Sequence, residues 1–221
     1  MEDKKFRFAL SFSAGKDSFL ALKKMLELGH EPACLITAVN PIGLSHMHGM
    51  RVKQFRQYAK SLGIPVIFEV TEKKYDREAA LKVAREAKEK YGADATCTGD
   101  IAFEFARDFN KSVAEELGMT GIYPLFGMTE EEFVPELLSS GCRIMIKTLA
   151  TELGLDELVG KELDANAVDI LAKKGIRLTD DTAELHTVVV DGPMFKSPVN
   201  YRFGELRHIK EYSMVDMIPL D

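Results

Sequence analysis

Cysteine is scarce in this chain, and the three present, Cys34, Cys97 and Cys142, lie far apart with no Cys-x-x-Cys pair. Such spacing argues against a disulfide framework and against a structural zinc site. Each cysteine falls in an apolar, strand-like segment, where a free thiol behaves as a small hydrophobe. Long apolar runs are missing too, since none approaches the ~18 residues that span a bilayer. The opening Met1-Glu2-Asp3-Lys4-Lys5 shows no signal-peptide cleavage pattern, so a cytoplasmic location is expected. No basic run exceeds two residues, and 29 basic against 35 acidic side chains leave a net charge of −6. Broad contact with a nucleic-acid backbone needs clustered Lys and Arg, so no nucleic-acid partner is expected. Nucleotide phosphates are compatible with this charge, because backbone N–H groups and Mg²⁺ can hold them without a basic patch. Internal repeats and low-complexity segments are absent as well.

What is present suits a folded protein. Hydrophobic residues make up 46% and charged residues 29% of 221, enough for a core and for one ordinary domain plus a smaller one. Phe6–Phe12 is an apolar, strand-like run, followed at helical spacing by Phe19, Leu22, Met25 and Leu26, with Gly29 as the stop. Ala33–Val39 is continuously apolar, as in a strand buried on both faces of a parallel sheet. Val52, Phe55, Ala59 and Leu62 mark a second helix closed by Gly63. Val66–Val70, Ala95–Gly99 and Gly121–Phe126 read as further strands. Between them fall a helix over Asp76–Tyr91 and another striped by Phe105, Phe109, Val113 and Leu117. Strands alternating with helices predict an α/β fold built on a doubly wound parallel sheet. Beyond Gly127 the pattern changes. Thr129-Glu130-Glu131-Glu132 is a capping box, Arg143–Leu149 a strand, Asp164–Lys174 a helix, and Glu184–Val190 and Tyr201–Tyr212 are strands. The expected organisation is residues 1–127, then a smaller α+β domain over 128–221.

The sharpest local feature is Ser11-Phe12-Ser13-Ala14-Gly15-Lys16-Asp17-Ser18, between the first strand and the first helix. A doubly wound sheet binds ligands there. Small residues allow close approach of an anion, and the Ser13 and Ser18 hydroxyls, with the N–H groups of the helix start, can donate to it. Lys16 adds a point charge. A Walker A loop would need glycine at position 10, where Leu10 stands, and no Gly-x-Gly-x-x-Gly signature occurs. The segment resembles the Ser-Gly-Gly-x-Asp-Ser loop of the PP-loop, or N-type ATP pyrophosphatase, superfamily, with Ala14 in place of the first glycine. That resemblance implies a HUP-like nucleotide-binding domain that cradles the β,γ-phosphates of ATP and directs attack to the α-phosphate. If position 14 needs a positive φ, alanine costs roughly 1 kcal/mol there.

Further motifs narrow the family. They are His48-Gly49-Met50-Arg51, Thr98-Gly99-Asp100-Ile101, Tyr123-Pro124-Leu125-Phe126-Gly127, Leu158-Val159-Gly160, and Ala183-Glu184-Leu185-His186-Thr187 running into Val190-Asp191-Gly192-Pro193-Met194-Phe195. Their order resembles the diphthine–ammonia ligase family across nearly the whole chain, with Ala183 replacing a family glycine and Phe126 a family tryptophan. The resemblance implies two domains facing each other across a cleft. It also implies amidation of a carboxylate with ATP and ammonia, the acceptor being diphthine on elongation factor 2 or an unknown substitute.

The candidate nucleotide residues are Ser11, Ser13, Ala14, Gly15, Lys16, Asp17 and Ser18, joined by Thr37, His48, Gly99 and Asp100. Asp17 either orients the loop or binds Mg²⁺, or is a carboxylate favoured by the helix dipole. Asp100, just past a strand end, supports Mg²⁺ or the loop, or merely caps a helix. Thr37 lies near the adenine or is an exposed strand residue. His48 lines the entrance, and His46-x-His48 lacks further ligands for a metal site. Glu184, His186 and Thr187 are the candidate acceptor residues. Strand alternation puts Glu184 and His186 on one face, where a carboxylate beside an imidazole can bind or deprotonate ammonium, orient the substrate, or form a plain cross-strand pair. Lys16, Asp17, Glu184 and His186 form the expected catalytic set. A chain of this length has no room for a glutaminase domain, so free ammonium is the expected nitrogen source. Two rival functions stay open: a tRNA-thiolating PP-loop enzyme and a non-catalytic nucleotide sensor. A homo-oligomer is compatible with everything above.

Overall fold

The computed structural model describes residues 4–45, 49–180 and 184–220. Five parallel strands, β1 Arg7–Ser11, β2 Glu31–Val39, β3 Val66–Val70, β4 Ala95–Cys97 and β5 Thr120–Ile122, form one sheet in the order β3-β2-β1-β4-β5. They alternate with helices α1 Lys16–Glu27, α2 Val52–Leu62, α3 Arg77–Tyr91 and α4 Glu104–Glu116. This is the doubly wound sheet that the sequence predicts. β1 shows why both faces are covered. Phe8 and Leu10 join a core with Phe19 and Leu22 of α1 and Phe55 and Tyr58 of α2. Ala9 between them belongs to a second cluster with Val83 and Ala87 of α3 and Ala114 of α4. Successive side chains of a strand point to opposite faces, so one strand serves two helical layers. The order reverses between β1 and β4, and the loops leaving those two strands diverge around a crevice.

The remainder is α5 Glu130–Leu138, β6 Arg143–Ala150, α6 Ala165–Lys173, β7 Leu185–Asp191, β8 Tyr201–Ile209 and β9 Tyr212–Pro219. Four of these are strands of an antiparallel sheet ordered β7-β6-β9-β8. The expected single strand over Tyr201–Tyr212 is instead the first arm and turn of the β8–β9 hairpin. Its turn is Lys210-Glu211, with Lys210 at φ 53, so no Gly or Asn announced it. The expected strand over Gly121–Phe126 is also shorter. It stops at Ile122, and Phe126 N–H returns to the Tyr123 carbonyl in a turn. Cys142 lies just ahead of β6, not within it.

The two sheets share one core, which runs from Phe8 and Leu10 through α1 to Ile144, Ile146 and Val188. α2 is tied across the same seam: Tyr58 Oη donates to the Val189 carbonyl at 2.7 Å and Gln54 Nε2 to the Met217 carbonyl at 2.6 Å. Phe19 stacks on Phe195 with ring centroids 5.1 Å apart, a contact worth about 0.5–1.5 kcal/mol beyond its buried area. The seam sets β7 directly against the loop between β1 and α1.

Candidate active site

That loop is held by its own hydrogen bonds. Ala14 adopts φ 67, in the left-handed region, and its carbonyl accepts from Val189 N–H of β7 at 2.9 Å. Gly15 N–H donates to Ser13 Oγ at 3.2 Å, and Ser18 Oγ donates to the Gly15 carbonyl at 3.0 Å. Gly15, the N-cap of α1, has no side chain to cap the helix, whose N-terminus opens the kind of position that can hold an anion. Lys16 is 7% exposed. Its ammonium pairs with Asp17 Oδ1 at 2.7 Å and lies 5.4 Å from the Phe133 ring centroid. Gly99, leaving β4, abuts the start of α1: a Cβ there would sit 2.7 Å from the Asp17 carbonyl oxygen and 2.8 Å from its carbon.

The loop forms one wall of a cleft of about 420 Å³, whose lining includes Ser11, Ser13, Gly15, Lys16, Asp17 and Ser18. Gly99 and Asp100 line it from β4. Asp100 accepts from Thr98 Oγ1 at 2.6 Å. Thr37 is placed otherwise than expected. It is buried, does not line the cleft, and donates its hydroxyl to the Phe12 carbonyl at 2.9 Å, so it braces the loop from behind; Ala38 lines the cleft instead. His46, His48 and Ala183 lie outside the described residues. Among the described residues no three His, Cys, Asp or Glu side chains gather to hold a metal ion. Asp17 and Asp100 nevertheless face the same cleft. They fit a Mg²⁺ held by one or two carboxylates together with nucleotide phosphates, and not a protein-built cage.

β7 supplies the opposite wall. Thr187 is buried, and its Oγ1 accepts from Lys16 N–H at 3.1 Å, a second link between the two walls beside the one from Val189 to Ala14. His186 also lines the cleft. Burial, with the charges of Lys147, Lys16 and Lys74, pushes its pKa down to about 4, so the imidazole is neutral at pH 7. Glu184 does not join it. β7 begins at Leu185, and Glu184 sits in the preceding turn, outside the cleft lining, its carbonyl accepting from Ala150 N–H at 2.8 Å. The alternation that would have paired it with His186 starts one residue too late.

Three features were not anticipated. Glu69, at the end of β3, lines the cleft, and burial followed by the charge of Asp76 raises its pKa to about 7. A lone carboxylate in the apolar run Val66–Val70 was the available signal. Lys147 in β6 is 2% exposed, and burial lowers its pKa to about 8. Phe105, expected on the inner stripe of α4, is 58% exposed and packs edge-on against Tyr75 at 5.0 Å. Tyr75 meets Phe109 at 5.3 Å in the same way, and both of these line the cleft.

A parallel sheet ordered 3-2-1-4-5, with a serine-rich loop at its reversal point, is a doubly wound α/β fold with its ligand crevice at that point. Within that class the chain belongs to the diphthamide synthase family: the model of the family's N-terminal domain matches residues 6–121 and that of its C-terminal domain residues 130–216. Curated relatives include the diphthine–ammonia ligases of Homo sapiens and Bos taurus. Each is 23% identical over 218 residues, covering 87% of this chain and 82% of the relative. A solved structure described as a predicted subunit of tRNA methyltransferase, from Methanocaldococcus jannaschii, overlays with a TM-score of 0.44 at 18% identity. It covers 88% of this chain and 100% of that one. Among the described residues no helix is long and apolar enough to cross a membrane.

Proposed function

We propose that this chain is an ATP-dependent amide ligase that splits ATP into AMP and pyrophosphate, adenylates a carboxylate and transfers ammonia to it. The observation that carries the reading is the cleft itself, in which a pyrophosphate-type loop faces His186 and Thr187 and is joined to their strand by the hydrogen bond from Lys16 N–H to Thr187 Oγ1. Residues 1–127 act as the nucleotide half and residues 128–221 as the acceptor half. The Ser13 and Ser18 hydroxyls, the α1 N-terminus and Lys16 stabilise the charge that develops on departing pyrophosphate. Asp17 and Asp100 are the residues that would hold Mg²⁺, which when bound neutralises phosphate charge.

Three lysines, Lys147, Lys16 and Lys74, act on His186 and oppose its protonation. Such lysines favour an anionic carboxylate over ammonium, so nitrogen attacks as neutral ammonia. An imidazole titrating near 4 is a weak base at pH 7, and His186 therefore orients the acceptor by hydrogen bonding. The better-matched proton acceptor in the cleft is Glu69, which titrates near 7. Thiolation has little support: Cys34 and Cys97 are buried, and burial raises Cys34 to about 12 and Cys97 further, where no reactive thiolate forms. The names of the curated relatives suggest diphthine as the acceptor. Incubation with ATP, Mg²⁺, ammonium and either a diphthine-bearing elongation factor or a panel of small carboxylates tests the reading. AMP and pyrophosphate in step with amide are expected, and ADP with phosphate would overturn it.

A further inference from the structure

Lys147 is the residue in this molecule whose burial most needs a reason. A lysine that is 2% exposed keeps little of its hydration, and burial disfavours its charged form. Its position is unusual as well. β6 and β7 pair antiparallel with Ile146 opposite Thr187 and Thr148 opposite His186, and the register shifts between those two pairs. Lys147 is the extra residue in that shift. A bulge of this kind re-aims one side chain and is common beside functional sites. Here it sits across from the two β7 residues that line the cleft, one of which, Thr187, holds the start of α1.

Resting on the ligase reading above, we propose that Lys147 is a positioning residue: from behind the cleft its buried ammonium fixes the charge and placement of His186 at the acceptor end. Among the charged groups acting on His186, Lys147 of β6 is the largest, ahead of Lys16 of α1 and Lys74 of the loop after β3, while Asp17, Glu69, Asp100 and Asp180 are the acidic groups lining the same cleft. Lys147 itself feels Asp216 of β9, which favours its charged form, and Arg207 of β8, which opposes it. Asp216 is also paired with Arg207, so its charge is shared. The net result is a lysine that stays mostly charged at pH 7 and a histidine that stays neutral. A constant, uncharged donor and acceptor at this end holds an anionic acceptor without competing with it for a proton.

The test is an NMR titration of the histidine ring resonances, with His186 assigned through His186→Gln. In the wild-type chain the His186 ring is expected to titrate near pH 4 and to show a second, smaller inflection near pH 8, as Lys147 loses its proton. In Lys147→Met, which keeps the volume and removes the charge, the low inflection should rise by about one unit and the high one vanish. Lys147→Arg should leave the low inflection in place. The acid limb of AMP release should move upward with the ring in the methionine variant, whereas a purely structural loss would lower the rate at every pH without moving the limb. A folded Lys147→Met whose His186 titrates as in the wild type would overturn the proposal. If that variant fails to fold, absence of the inflection near pH 8 in the wild type overturns it equally. Neither ring titration depends on the reaction, so it separates failure of this inference from failure of the ligase reading.

Discussion

Replacing Gly99 by alanine tests whether the loop between β1 and α1 is set by steric contact with the end of β4. The Gly99 backbone does not need a positive φ, so alanine is conformationally acceptable there and the whole effect comes from its methyl group. That methyl would meet the Asp17 carbonyl oxygen at 2.7 Å, its carbon at 2.8 Å and Ser18 N at 3.1 Å, all backbone atoms of the first turn of α1. Ordinary carbon contacts begin near 3.4 Å, so the start of the helix must retreat by about 0.7 Å. Overpacking of this kind costs about 1–3 kcal/mol of stability. The functional loss should be larger than a similar cost elsewhere, because Ser18, Lys16 and the helix N-terminus move together. A displacement approaching 1 Å in a positioning element lowers turnover by roughly 10–100-fold. Calorimetric titration with ATP and Mg²⁺ measures the first loss, and pyrophosphate release the second. A Gly99→Ala protein that binds ATP and turns over as the wild type does would refute this account of the loop.

Other substitutions give different signatures. Ala14→Gly removes the cost of a left-handed alanine, about 1–2 kcal/mol, but also a fully buried methyl worth about 0.8 kcal/mol and some chain stiffness. Stability in denaturant melts should therefore change by less than about 1 kcal/mol. ATP affinity should stay put, since Val189 and Ser13 already hold the loop; a tenfold change would show that ATP sets the conformation instead. Glu69→Gln should stabilise the fold above neutral pH. The folded pKa is raised, so the ionised carboxylate opposes folding. That penalty is absent below about 4.5 and grows as pH rises to about 7. After allowance for partial exposure the gain at pH 8 is of order 1 kcal/mol, read as a higher Tm at pH 8 and an unchanged one at pH 4.5. Glu184→Gln should keep ATP affinity and lose less turnover than His186→Ala; the reverse ranking in parallel assays would place Glu184 at the chemistry.

Much of the architecture was legible because local signals and the fold agree. Apolar runs such as Ala33–Val39 mark strands covered on both faces, and stops such as Gly63, at φ 72, sit where the helical stripe ends. The failures occur where the local signal is weak. Lys210-Glu211 makes a tight turn without a turn residue, because the flanking pairs Ile209–Tyr212 and His208–Ser213 fix the register and Lys210 absorbs the positive φ. Phe105 obeys helical spacing but faces outward, since periodicity counts apolar residues without showing which of them a loop such as the one carrying Tyr75 will claim.

The site divides along the same line. The loop between β1 and α1 was readable because all its parts are contiguous, from Ser11 to Ser18, and its shape depends on local backbone geometry. Even Ala14, the departure from the motif, keeps the positive φ that a glycine would adopt freely, so the turn is imposed by the surroundings and not by the residue. The β7 wall of the cleft was only half readable. His186 and Thr187 carry polar groups on an otherwise apolar strand, a visible signal, but their meaning comes from Lys16, Lys74 and Lys147, which are dispersed along the chain. A lysine inside Arg143–Ala150 looks in sequence like a surface residue on a two-faced strand. It is buried only because β6 lies between β7 and β9, with both its faces covered, and no spacing rule within β6 carries that fact. Charge placed across strands is thus the part of this site that sequence periodicity cannot reach, and it is the part that opposes protonation of His186.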